Sequence, residues 1–141
     1  MGMDGLQVIT LEAGVGALNE IRQFVANCGQ AAGLDAKALD GMVLAVDEAA
    51  SNIIQHGYSG RTGWIEVEVE SAGEGFVVRL RDRAKPFDPR SFPDPNLSLP
   101  LARRPIGKLG VFLMRKSVDQ VRHRLLPEGG NELTLVKWFQ S

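Results

Sequence analysis

The chain has 141 residues, 44% of them hydrophobic, and this size and apolar content predict one globular domain with its own core. Sixteen basic and seventeen acidic side chains give a net charge of −1, which excludes a general electrostatic field for nucleic acid or an anionic membrane surface. The single Cys28 excludes a disulfide within the chain and a multi-cysteine metal cluster. The sequence has neither a signal-peptide pattern nor an apolar run of membrane length, so we expect a cytoplasmic protein.

The first half of the chain predicts a strand, two helices and a hairpin. Residues 6–11 are β-prone, and apolar residues then recur at helical spacing up to Gly33. Asp35 is the predicted N-cap of a second helix that ends at Gly57. The apolar stripe of this helix comprises Leu39, Met42, Val43, Val46, Ala50, Ile53 and Ile54. The segments WIEVEVE and FVVRLRD then alternate apolar and charged residues, which predicts two strands with one solvent-facing side.

The second half predicts a long loop, a helix and two more strands. Six of the seven prolines lie between Ala84 and Ile106, so we expect a lid at about 84–106. Helical spacing then resumes with Leu109, Phe112, Leu113 and Lys116, and the segments 119–126 and 132–139 form a closing hairpin. This order predicts one α+β domain over 1–141, a two-layer sandwich with helices on one face of a mixed, mostly antiparallel sheet.

Two polar residues of the second helix share one face. At about 100° per residue, Glu48 and Asn52 lie about 40° apart, and the apolar stripe is centred nearly opposite them. The spacing alone is compatible with two solvated side chains or with a functional site. The two residues belong to a longer string that continues with His56, Gly57 and Tyr58 and precedes the predicted hairpin.

This string resembles the N box of the histidine-kinase-like ATPases (the GHKL superfamily, with the Bergerat fold). Its ending is similar to the anti-sigma factor serine kinases in particular. The segment that begins at Asp82 resembles the G1 box of the family, and RRPIGKLG resembles the G2 box, with Gly107 and Gly110 at its glycine positions. The resemblance extends over about 18–139 with the boxes in the expected order.

The resemblance implies a role for each matched residue. Glu48 would be the catalytic base, and Asn52 would bind both the nucleotide and Mg²⁺ through its amide oxygen. Asp82 would accept a hydrogen bond from the adenine amino group, which favours adenine over guanine. Gly107 and Gly110 would let the N-terminus of the following helix approach the ATP phosphates.

Two positions differ from the family pattern. Ala84 and Lys108 stand at nucleotide-binding positions where the family usually has glycine, and both departures bear on nucleotide affinity and on phosphoryl transfer. Lys108 adds a cation that could contact a phosphate. Arg103 and Arg104 of the lid could do the same, or they could be solvated charges.

The function implied by the resemblance is that of an ATP-dependent anti-sigma regulatory factor that phosphorylates a serine of an anti-anti-sigma (STAS) protein. A sigma factor would be its second partner, and the family often forms homodimers. The alternative is a non-catalytic partner-binding (anti-sigma) module on the same fold, nucleotide-dependent or nucleotide-free, that has lost phosphoryl transfer. A third possibility, a nucleic-acid-binding KH domain with GKLG as its G-x-x-G loop, is disfavoured because that loop joins two helices, whereas a proline-rich stretch precedes GKLG.

Overall fold

The computed structural model describes residues 5–91 and 108–140. Its five strands form one sheet in the order β1-β2-β3-β5-β4, and every pair of neighbouring strands is antiparallel. The strands are β1 (Leu6–Glu12), β2 (Trp64–Ala72), β3 (Gly75–Asp82), β4 (Gln120–Leu125) and β5 (Asn131–Trp138). The predicted α+β sandwich is confirmed, and within the described residues the sheet is wholly antiparallel rather than mixed.

Three α-helices pack on one face of this sheet: α1 (Val15–Ala32), α2 (Ala36–Asn52) and α3 (Lys108–Ser117). Gly33 ends α1 in the left-handed conformation with φ 91°, which glycine adopts without steric cost. Asp35 caps α2 as predicted, since its Oδ1 accepts a hydrogen bond from the Ala38 amide at 2.8 Å. The order of elements along the chain therefore follows the hydrophobic pattern closely.

The two faces of the sheet differ as the alternation in β2 and β3 predicts. Ile65, Val67 and Val69 are fully buried under the helices. On the opposite face Arg79 pairs with Glu68 at 2.7 Å and with Glu70 at 2.8 Å. Arg81 makes the same kind of contact with Glu66, Glu68 and Glu132. The outer charges are thus matched across neighbouring strands, and the apolar core lies between the sheet and the helices.

The buried face of α3 differs from the one that the sequence predicted. The predicted stripe was Leu109, Phe112, Leu113 and Lys116, whereas the structure buries Val111 and Met114 of this helix; the side chain of Leu109 lies outside the described part of the chain. Leu113 is among the exposed large hydrophobic residues. The reason is tertiary, because α3 packs against α2 through Gly110, and this contact turns the neighbouring Val111 and Met114 toward the core.

Among the helices in the described ranges, none combines the length and the apolarity needed to cross a membrane. Most of the predicted lid at about 84–106 falls on residues 92–106, which lie outside the described part of the chain. Its first residues are described and end in a short 3₁₀ turn at Pro89–Ser91.

Candidate functional site

The site begins where α2 ends. The sequence predicted one regular helix as far as Gly57, but after Asn52 the backbone widens into a π-helical turn, Ile53–Gly57. The Tyr58 amide closes this turn by donating to the Ile53 carbonyl at 2.8 Å. Single π-helical turns of this kind are frequent at functional sites.

The side chain of Tyr58 fixes the position of the π-helical turn relative to the sheet. Its hydroxyl donates to the Trp64 carbonyl at 2.7 Å and accepts from the Arg83 amide at 2.8 Å. One buried hydroxyl thus joins the end of the turn to the start of β2 and to the residue after β3. This clamp holds Asp82, the last residue of β3, close to the end of α2.

A pocket opens between the end of α2, the end of β3 and the start of β5. Three of the predicted nucleotide-binding residues line it: Asn52, Asp82 and Ala84. Its other walls come from α2, the π-helical turn, the first lid residues, α3 and the last two strands, namely Ala49, Ile53, Gly57, Lys85, Phe87, Pro89, Met114, His123, Asn131 and Leu133. The fold therefore brings the matched N-box and G1-box residues to one cavity.

Asp82 is the buried acceptor of this pocket, with only 2% of its surface exposed. Its Oδ1 accepts hydrogen bonds from the Ala84 amide at 2.9 Å and from Asn131 Nδ2 at 3.0 Å. No hydrogen bond between described residues involves Oδ2, so this oxygen is left to receive a ligand donor. Burial raises the pKa of Asp82, although its hydrogen bonds to Asn131 and Ala84 act in the opposite direction.

Ala84 fits into the pocket because residue 57 is a glycine. Ala84 is buried, and a Cβ atom added at Gly57 would lie 2.9 Å from the Ala84 methyl group. In this contact the methyl group belongs to Ala84, on the lid side, and the glycine is Gly57, on the helix side. The departure from the family pattern at Ala84 is thus accommodated by close packing against the π-helical turn.

We expect Gly57→Ala to destabilise the protein by about 1–3 kcal/mol, because the two methyl groups would overlap. Ala84→Gly in the same chain should recover most of this loss by removing the opposing methyl group. Chemical denaturation of wild type, both single variants and the double variant measures the coupling. Additive effects of the two substitutions would show that Gly57 and Ala84 are not packed together.

Glu48 lies beside the pocket rather than in its wall. Its carboxylate rests against Gly110, and a Cβ atom at position 110 would overlap Glu48 Oε2. Burial raises the pKa of Glu48, and the neighbouring Asp47 adds to the effect. Asp47 itself is paired with Arg22 at 2.7 Å, so the two adjacent acids have separate surroundings. The predicted base is thus held at the first turns of α3.

Gly110→Ala should displace the Glu48 carboxylate and lower any activity that depends on it by at least about tenfold. Gly41→Ala is the matched control, because its added Cβ would meet the Ser117 carbonyl at 2.6 Å in the same α2 and α3 contact. Both variants should lose about 1–3 kcal/mol through overpacking, offset by the better helix propensity of alanine. Equal activity in the two variants would contradict the placement of Glu48.

The remaining predicted residues are placed only in part. Lys108 is the first residue of α3, with its backbone alone described, and Gly110 follows two positions later. Gly107, Arg103 and Arg104 lie outside the described residues. Within the described ranges, no group of three or more His, Cys, Asp or Glu side chains could hold a metal ion.

Among the pocket residues that sequence reasoning did not identify are the polar side chains of Asn131 and His123. The predicted last strand began at Glu132 and left Asn131 in the turn, whereas β5 begins at Asn131. Along β5 and β4 the core-facing positions are otherwise occupied by apolar residues such as Leu133 and Val121. A polar side chain at a core-facing strand position is the signal that could have identified both residues.

The sequence of this chain matches a known protein family. The family model of the histidine kinase-like ATPase domain matches residues 11–137. The serine-protein kinase RsbW of Bacillus cereus strain AH187 is 25% identical over 132 residues, which cover 85% of this chain and 76% of the relative. The serine-protein kinase RsbW of Bacillus thuringiensis subsp. konkukian is 23% identical over 124 residues, with the same coverage.

A solved structure agrees on the fold. A crystal structure of RsbU and RsbW domains from Mycobacterium tuberculosis superimposes on 96% of this chain with a TM-score of 0.68 and 20% identity. The present chain spans 32% of that longer protein. The family model matches nearly all of the sequence, and matched residues of the N box and the G1 box line one pocket. The chain therefore belongs to the histidine kinase-like ATPase family.

Proposed function

We propose that the chain binds ATP with Mg²⁺ in this pocket and transfers the γ-phosphoryl group to a serine of an anti-anti-sigma (STAS) protein. The observation that carries the proposal is the convergence of Asp82 and Asn52 on one cavity, with Glu48 one helical turn before Asn52. The relatives named as serine-protein kinases support the reaction class. As in the implied family role, a sigma factor would be a second partner, and the protein would act in the cytoplasm, in some cases as a homodimer.

The buried carboxylate fits an adenine base. Asp82 has one oxygen held by Ala84 and Asn131 and one oxygen left for a ligand. The adenine amino group is a donor, whereas the carbonyl at the same position of guanine is an acceptor that would face another acceptor. An unpaired polar group at a buried site costs about 1–3 kcal/mol, which is sufficient to select the nucleotide.

The donor set of the neighbouring residues also fits a magnesium complex with a phosphate-bearing ligand. Asn52 offers an amide oxygen, and oxygen is the ligand type that Mg²⁺ prefers. When bound, Mg²⁺ would neutralise charge on the phosphates. The absence of an acidic cluster among the described residues agrees with an ion held largely by phosphates and water. Gly110 lies in the first turn of α3, and the positive end of that helix would favour a phosphate anion.

Glu48 supplies the base for transfer to a hydroxyl group. Its raised pKa makes it a stronger proton acceptor than an ordinary glutamate. As the serine oxygen forms its bond to phosphorus and the bond to the β-phosphate oxygen breaks, the hydroxyl proton passes to the Glu48 carboxylate. Most of the remaining rate enhancement would come from positioning and charge neutralisation.

Transfer of labelled γ-phosphate from ATP to a purified STAS protein tests the proposal, with Mg²⁺ or with a chelator. Wild type should phosphorylate one serine in the presence of Mg²⁺ only, and Asn52→Ala should need more Mg²⁺ for the same rate. ATP binding without transfer to any STAS protein would instead favour the non-catalytic partner-binding module. No binding of ATP would contradict the proposed nucleotide site and would favour a partner-binding module that does not use nucleotide.

A further inference from the structure

Asn131 is the hub of a buried hydrogen-bond network at the back of the pocket. Its Nδ2 donates to Asp82 Oδ1 at 3.0 Å and to the Lys85 carbonyl at 3.1 Å. Its Oδ1 accepts from the Phe87 amide at 3.0 Å and contacts His123 Nε2 at 2.8 Å. One side chain, only 6% exposed, therefore joins the base-binding carboxylate to the first residues of the lid.

These partners determine the orientation of the Asn131 amide. Two acceptors face its nitrogen, and the Phe87 N–H can only donate, so it faces the oxygen. Because that oxygen also faces His123, the Nε2 atom of His123 must carry a proton and donate it. Both donors and both lone pairs of the amide are thus used. No other side chain of similar size offers two donors and two acceptors in this arrangement.

We propose that Asn131, held in place by His123, is a positioning residue that selects adenine by fixing which oxygen of Asp82 faces the ligand, and that it ties the first lid residues to this carboxylate. The inference rests on the proposed function, since it concerns recognition of the base of ATP. It adds a residue outside the N, G1 and G2 boxes to nucleotide selection, and it couples base binding to the start of the lid.

The chemistry of Asp82 explains why its neighbour affects selectivity. With Asn131 present, Asp82 Oδ1 receives two N–H donors, and Oδ2 remains a pure acceptor for the adenine amino group. In Asn131→Asp two carboxylates would adjoin, and one of them would be protonated because like charges so close disfavour double ionisation. A protonated Asp82 could donate a hydrogen bond to the guanine carbonyl, and an Asp82 released from Asn131 would no longer present a fixed acceptor to the adenine amino group. The preference for ATP over GTP should then fall.

The network has two arms: the hydrogen bonds that Asn131 Nδ2 donates, and those that Asn131 Oδ1 accepts. The Asn131→Asp variant separates them. It loses the donors to Asp82 and Lys85 but keeps oxygen acceptors for the Phe87 amide and for His123. Asn131→Leu loses all four hydrogen bonds. Thr134→Val is the control, because Thr134 lies on the opposite face of the same strand, is buried to a similar degree and belongs to neither arm.

The experiment measures ATP and GTP dissociation constants by calorimetry and amide hydrogen exchange at Phe87 in the nucleotide-free protein. We expect the ATP to GTP affinity ratio to fall about tenfold or more in both Asn131 variants. Amide exchange at Phe87 should accelerate about tenfold in Asn131→Leu and remain near wild type in Asn131→Asp. In Thr134→Val both the affinity ratio and the exchange rate should be unchanged.

An unchanged affinity ratio in Asn131→Asp, with wild type binding ATP normally, would overturn the inference and leave the proposed function intact. A wild-type protein that binds no ATP would overturn the proposed function and with it the adenine-selecting role. Asn131→Ser, which is smaller and neutral, carries the same affinity test if the aspartate variant does not fold.

Discussion

Glu48→Gln is expected to lower the rate of phosphoryl transfer by about 10²–10⁴ while leaving ATP affinity within about twofold of wild type. The carboxylate lies against Gly110 and outside the pocket wall, so its loss removes the proton acceptor without removing a base contact. Glutamine keeps the size of the side chain but cannot take the serine proton. Initial rates of transfer to a STAS protein and calorimetric titration with ATP measure the two effects separately.

Asp47→Asn is the matched control for Glu48, since Asp47 is the preceding acid of the same helix and pairs with Arg22 instead of α3. Its transfer rate should stay within about threefold of wild type, because a half-exposed ion pair contributes little. Equal losses in both variants would contradict the assignment of the base. Since burial raises the pKa of Glu48, the wild-type rate should decline on acidification at a higher pH than an ordinary glutamate would give.

Asp82→Asn is expected to weaken ATP binding by about 10- to 100-fold and to stabilise the folded protein at neutral pH. The new amide would keep an oxygen for Ala84 and Asn131 but would present its nitrogen, a donor, to the adenine amino group. Two facing donors at a buried site account for the loss of affinity. Calorimetry with ATP and urea denaturation at several pH values measure the two effects.

The stability effect has a definite sign. The pKa of Asp82 is higher in the folded than in the unfolded chain, so Asp82 favours folding below its unfolded pKa and loses that contribution as the pH rises through its folded pKa. The stability advantage of the asparagine variant should therefore grow as the pH rises over this range. Glu128→Gln removes a largely exposed carboxylate that pairs with Arg83, and it should change neither ATP affinity nor this pH dependence. A pH-independent difference would contradict the raised pKa.

The order of helices and strands could be predicted from the sequence because local signals and tertiary packing agree in most of the chain. The alternation in β2 and β3 gives the correct inner face, and Asp35 begins α2 where its capping chemistry predicts. The face of α3 could not be predicted, since it depends on the contact between Gly110 and Glu48, which are far apart in the sequence. Apolar spacing alone leaves more than one face of a ten-residue helix available.

Part of the candidate site could also be predicted from the sequence. The spacing of Glu48 and Asn52, together with the family resemblance, led to two residues that the structure places at or beside one pocket. Asn131 was missed because it follows two glycines and reads as a turn residue. The structure instead gives it the first position of β5, where strand pairing carries it to Asp82. Only this pairing of distant segments reveals its partners.

The measurement that tests the central claim most directly is a titration of ¹⁵N-labelled wild-type protein with ATP and Mg²⁺, followed by amide chemical shifts. The account predicts saturable shifts concentrated at Asn52, Asp82, Ala84 and Asn131, with GTP producing weaker changes at the same concentration. Shifts confined to other parts of the molecule, or no shifts at all, would contradict ATP binding in this pocket.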